Sequence, residues 1–112
     1  MKRGDLVTVA AAGDYGKPRP AVIVQSDLLT DADSIILCPL TSSERDAPTF
    51  RLTVEATPET GLRERSQVMV EKIRSVRRGR CGPVFGRLDE GSMAALDRLL
   101  AFVIGLSEDA PD

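Results

Sequence analysis

Six short runs of apolar or alternating residues are followed by a single stripe of helical period, and that order constrains the fold most. The runs cover residues 6–10, 21–25, 34–40, 50–55, 67–71 and 83–87. Residues 21–25 and 34–40 are nearly continuous apolar stretches, as expected of buried strands. Residues 50–55 alternate Phe50, Leu52 and Val54 against Arg51, Thr53 and Glu55, the pattern of a half-exposed strand. Gly13, Gly16 and Pro18 mark a loop after the first run, and Thr57-Pro58-Glu59-Thr60-Gly61 a turn after the fourth. From Asp89, a suitable N-cap, the period changes. Met93, Leu96, Leu99, Leu100, Val103 and Ile104 recur at helical spacing until Gly105 stops them. Five or six short strands and one C-terminal helix predict a mainly β domain curved into a small barrel.

A chain of 112 residues is expected to form one domain, 1–112, with residues 106–112 as an acidic tail. Hydrophobic residues at 42% supply enough core for a folded chain. Cys38 lies within an apolar run and Cys81 is far from it, without zinc-like spacing. No apolar run follows the basic N-terminus, and none reaches the roughly 20 residues of a membrane span. The expected setting is the cytoplasm, with no membrane partner.

The net charge of −2 conceals an asymmetry. Between Arg63 and Arg87 stand eight basic residues against Glu64 and Glu71 alone, so that window carries +6. Clustered positive charge raises local affinity for phosphates whatever the total; a solvated basic loop is the plainer account of Arg77-Arg78-Gly79-Arg80. A second basic feature is Lys17-Pro18-Arg19-Pro20. Proline fixes its own φ and biases the preceding residue towards extended backbone, so both cations stand on stiffened chain. Arg19 so held suits a phosphate, gripped through two parallel hydrogen bonds, or equally a nearby carboxylate.

The missing chemistry narrows the field. The chain has no histidine, which excludes histidine bases, His-containing triads and His-ligated metals. Nucleotide-cradling glycine motifs are absent, and the acidic residues lack a metal-site cadence, so neither a cofactor nor a metal is expected. One reaction suits the remaining side chains. RNA cleavage through the substrate's own 2′-hydroxyl needs only proton movement and charge stabilisation from the protein.

Five blocks carry a resemblance. Arg3-Gly4-Asp5-Leu6-Val7, Lys17-Pro18-Arg19-Pro20-Ala21-Val22-Ile23-Val24, Cys38-Pro39-Leu40-Thr41-Ser42, Val70-Glu71-Lys72-Ile73-Arg74 and Gly86-Arg87-Leu88-Asp89 resemble, in order and spacing, the MazF/PemK toxin endoribonucleases. The resemblance implies an SH3-like barrel of the CcdB/PemK type. It also implies a homodimer, single-stranded RNA as substrate, 2′,3′-cyclic phosphate and 5′-hydroxyl ends, and a cognate antitoxin whose acidic disordered segment blocks the RNA groove. Arg19 matches the family's catalytic arginine and Thr41 the threonine beside it. Glu71 is the candidate proton acceptor. Tyr15, Lys17, Ser42, Gln67, Lys72 and Arg74 are the candidate RNA contacts. Where some members carry a loop histidine or a later arginine, this chain has Asp14 and Tyr15, and Met69.

Plainer roles stand beside these. Thr41 could cap a turn, Glu71 could pair with Lys72 or Arg74 at the surface, and Tyr15 could pack over the barrel mouth rather than stack on a base. Two other functions stay open: a CcdB-like gyrase poison, disfavoured by the lack of tryptophan and the acidic tail, and a non-catalytic RNA-binding barrel.

Overall fold

The structure is a computed structural model and describes residues 1–10 and 17–110. Among the described residues seven strands and one α-helix follow one another: β1 (Asp5–Val9), β2 (Arg19–Ile23), β3 (Ser34–Thr41), β4 (Arg51–Val54), β5 (Ser66–Met69), β6 (Arg74–Arg77), β7 (Cys81–Arg87) and α1 (Glu90–Val103). Short 3-10 turns at Val70–Lys72 and Arg78–Arg80 join β5 to β6 and β6 to β7. All pairings are antiparallel, in the order β4-β5-β3-β2-β1-β7, with β6 also on β3. The expected mainly β domain with one C-terminal helix is therefore what the chain forms. The ladder itself does not close: β4 and β7 stand at its two ends.

Strand β3 is the hub. One edge pairs with β2, from Ala21↔Pro39 to Ile23↔Leu37. The other takes β5 at Leu40↔Val68 and Thr41↔Gln67, and β6 from Ser34↔Arg77 to Leu37↔Arg74. Pro39, which has no N–H to give a ladder, lies in the gap between the β5 and β6 pairings.

Because side chains alternate, this sheet buries both faces. Leu6, Val22, Cys38, Leu40 and Val68 form one core with Leu96 and Leu99 of α1. Val7, Val9, Ala21, Ile23, Ile35 and Leu37 form a second cluster on the opposite face, closed partly by Val76 and Cys81. Strand β6 is an addition to the expected runs, none of which covers residues 74–77. It becomes a strand because Ile35 presents a ladder partner and apolar cover to Val76, its only apolar residue.

The helix ends as its sequence implies. Asp89 accepts the Ser92 N–H at 2.7 Å, which lowers the Asp89 carboxyl pKa. The cap is therefore strongest at neutral pH and is lost as pH falls through that lowered value. At the other end Gly105, at φ 84°, lets Leu106 N–H reach Ala101 C=O and its own N–H reach Phe102 C=O, a Schellman closure.

The free edge of β7 is covered by the turn at residues 57–61. Arg87 N–H donates to Glu59 C=O at 3.0 Å, and a Cβ on Gly86 would lie 2.0 Å from Thr60 C=O. Because the obstruction is main chain, Gly86→Ala is expected to cost about 3 kcal/mol, the upper part of the overpacking range. Chemical denaturation checks this; an unchanged midpoint would mean that the turn is not seated on β7.

Candidate functional site

Strand register brings Arg19 and Thr41 onto one face. The β2–β3 ladder ends at Ala21↔Pro39, and two places further in the same register stand Arg19 and Thr41. Directly opposed residues of an antiparallel pair point to the same side. That side is the one turned away from α1, since Ala21, Ile23 and Leu37 on it belong to the second cluster. The row continues through Thr41↔Gln67 and Gln67↔Thr53. Arg74 lies opposite Leu37, so it shares the face.

Arg19 is exposed, on the first residue of β2 and opposite Val9 of β1. Its neighbours Pro18 and Pro20 hold it extended. Lys17, Lys72 and Arg74 are exposed as well. Among the described residues none of these four cations takes part in an ion pair. Other basic residues are committed elsewhere. Arg3 pairs with Asp97, Arg65 with Glu44 at 3.1 Å, and Arg78 Nε donates to Ala32 C=O at 3.0 Å. The +6 window is thus only in part a free cationic surface.

Thr41, half-buried at the end of β3, accepts the Ser43 N–H at 3.1 Å through Oγ1. It does cap the turn, and its own hydroxyl proton remains to be donated. Ser42 is exposed in that turn. Tyr15 lies outside the described residues.

Two of the expected residues, Gln67 and Glu71, have partners that their neighbours in the chain do not suggest. Gln67 is 6% exposed, and its amide is occupied at both ends by one residue: Arg45 N–H donates to Oε1 and Nε2 donates to Arg45 C=O, each at 3.0 Å. It braces the loop beyond Thr41. Glu71 pairs with neither Lys72 nor Arg74. Arg51 Nε lies 3.0 Å from both of its oxygens, and Nη2 is 2.6 Å from Oε2. Arg51 itself, expected on the exposed side of its strand, is buried, because this carboxylate satisfies it.

The thiols do not enlarge the site. Burial, aided by the charge of Glu71, pushes Cys38 up to about 12, so it stays protonated in the core. Among the described residues no group of three or more Cys, Asp or Glu side chains converges as a metal site. Beside the row, between β4, β5 and α1, is a cleft of ≈ 210 Å³ bordered by Arg45, Arg51 and Arg98.

Comparison with known proteins decides the family. The model of the PemK-like, MazF-like toxins of type II toxin–antitoxin systems matches residues 2–104. The chain belongs to that family. A probable endoribonuclease MazF of Mycolicibacterium smegmatis is 42% identical over 108 residues, 96% of this chain and 99% of its own. Among solved structures, MazE–MazF (Form-III) of Deinococcus radiodurans superposes with a TM-score of 0.79 at 22% identity, covering 96% of this chain and 98% of that one. An endoribonuclease in complex with its cognate antitoxin, from a mycobacterial species, gives 0.78 at 20% identity, covering 96% and 97%. At such identities these likenesses establish the MazF fold.

The MazF-like face thus has two supports that residue pattern missed, Arg51 under Glu71 and Gln67 under Arg45. Arg51 and Glu71 are separated by 20 residues, and no local spacing links them. Gln67→Ala is expected to cost about 1–3 kcal/mol through the unpaired backbone groups of Arg45. It should also speed amide exchange at Arg45, which hydrogen-exchange NMR would read directly.

Proposed function

We propose that this protein is a sequence-specific toxin endoribonuclease that cuts single-stranded RNA, mRNA included, without a metal. The reading rests on one observation: the register of β2 and β3 that gives Arg19 and Thr41 a common, cation-flanked face. Family membership and the 42% identity to a probable endoribonuclease MazF support it.

In the proposed reaction the ribose 2′-oxygen attacks the adjacent phosphorus as the bond to O5′ breaks. The 2′-hydroxyl gives its proton to a solvent water and the departing O5′ takes one from solvent, leaving a 2′,3′-cyclic phosphate and a 5′-hydroxyl. Negative charge grows on the non-bridging oxygens, and two groups meet it. Arg19 offers parallel N–H donors and a permanent positive charge to those oxygens, and can donate a hydrogen bond to the departing oxygen as solvent protonates it. Thr41 Oγ1, already held by Ser43 N–H, directs its proton at the same phosphate. Both act through preorganisation, because the prolines and the ladder fix them before substrate arrives. Lys17, Ser42, Lys72 and Arg74 are proposed to hold the flanking strand, with Tyr15 as a stacking platform. The remaining proposals are a homodimer acting in the cytoplasm and an antitoxin whose acidic segment competes for the same cations. The antitoxin is supported by the complexes of structural neighbours.

Incubation of purified protein with a long RNA, with and without EDTA, tests the reading. Equal cutting in both, with cyclic phosphate and 5′-hydroxyl ends, is expected; uncut RNA in a shifted band would instead indicate a binder alone. Arg19→Ala should lower kcat/KM by about 10²–10³-fold with an unchanged circular dichroism spectrum, since the side chain is exposed. Full activity in that variant would remove Arg19 from the site. RNA affinity should fall steeply as salt rises, in proportion to the phosphates contacted.

A further inference from the structure

Strands β5 and β6 share one edge of β3 but not one register. Leu40 faces Val68, so an unbroken ladder would set Leu37 opposite Glu71; Leu37 instead faces Arg74. Three residues are spliced in at this point, and they form the 3-10 turn Val70–Lys72. The splice throws Glu71 and Lys72 out of the sheet beside Pro39. Little main-chain bonding holds it: Val70 N–H to Phe50 C=O at 3.1 Å and Ile73 N–H to Val70 C=O at 3.2 Å. Val70 anchors its inner side in the first core.

Its outer side is anchored by Arg51. The Arg51 side chain is 6% exposed and that of Glu71 28%, so the pair is removed from most of the water that would weaken it. Arg51 is in turn fixed from three directions. Its N–H donates to Ala47 C=O at 2.9 Å, its guanidinium stands 5.9 Å from the Phe50 ring centre, and its cross-strand neighbour is Met69. The rigid member of the pair is therefore the arginine on β4, and the member it restrains lies on the spliced turn.

We propose that Arg51 and Glu71 form a positioning clamp for the RNA face, Glu71 serving as an anchor and not as the proton acceptor. The proposal rests on the ribonuclease reading for its kinetic arm. The clamp does two things. It fixes the turn from which Lys72 projects and after which Arg74 rejoins the ladder, so both cations keep a set distance from Arg19 and Thr41. It also neutralises the carboxylate on that turn, which would otherwise repel a phosphate passing Lys72.

The decisive variant is Glu71→Gln, which retains an acceptor for Arg51 but loses the charge and any capacity as a base. For cleavage, kcat and KM are each expected to stay within about threefold and the pH–rate profile to be unmoved. A kcat loss of 100-fold or more, with a limb of the pH profile removed and KM unchanged, would make Glu71 the proton acceptor and overturn the clamp. Two arms do not need cleavage. Arg51→Met, which frees the turn and leaves the Glu71 charge uncompensated, should bind a fully 2′-O-methylated RNA about tenfold more weakly than the parent protein, whereas equal affinity would refute the proposal. In Arg51→Met, amide exchange at Lys72 and Ile73 should accelerate while Leu40 and Val68 stay protected; unchanged exchange at Lys72 and Ile73 would refute it as well. A parent protein that binds RNA without cutting it would sink the ribonuclease reading and leave these last two arms to decide the clamp.

Discussion

Hydrogen bonding of β3 along both of its edges is the constraint on which the remainder depends. A strand paired on two sides cannot shift by one residue without exchanging its faces, and here both faces are full. Leu37 and Ile35 hold one side, Cys38 and Leu40 the other. The end of the strand, Thr41, is therefore placed by packing several residues away. The same is true of Arg19, whose strand is fixed by Ala21, Val22 and Ile23. A reactive pair at the frayed end of a ladder borrows its rigidity from the buried middle.

That arrangement separates support from chemistry. Arg19, Lys17, Ser42, Lys72 and Arg74 are exposed, and each lies at a strand end, in a turn or just outside one. Beneath them lie groups whose polar atoms are already used: Gln67 on the Arg45 backbone and Arg51 on Glu71. A buried polar group with one unmet function costs several kcal/mol, so such groups stay only where their partners are exact in number. The result is an open face whose exposed cations stand on a fixed backbone.

Much of this was legible beforehand. The strand pattern, the helix with its aspartate cap and glycine stop and the core role of Cys38 follow from residues local to one segment, and the family from five blocks spread along the chain. Three features were not. Strand β6 has one apolar residue in four and forms because Ile35 lies alongside. Gln67 looks like a surface amide until the loop at Arg45 folds back onto it. Arg51 alternates outward in its strand and is nevertheless buried, because the carboxylate that accepts it comes from beyond the next strand.

The chain's own order of residues determined most of its segments: the runs that become every strand but β6, where the helix starts and stops, which arginine is stiffened by prolines, and that no imidazole takes part. These are properties of neighbours along the chain, governed by dihedral restriction and side-chain period. Only the tertiary structure decided which cations, among the described residues, stand outside ion pairs and which carboxylate Arg51 holds. Those outcomes depend on contacts between segments 20 or more residues apart, whose register is set by filling two cores at once.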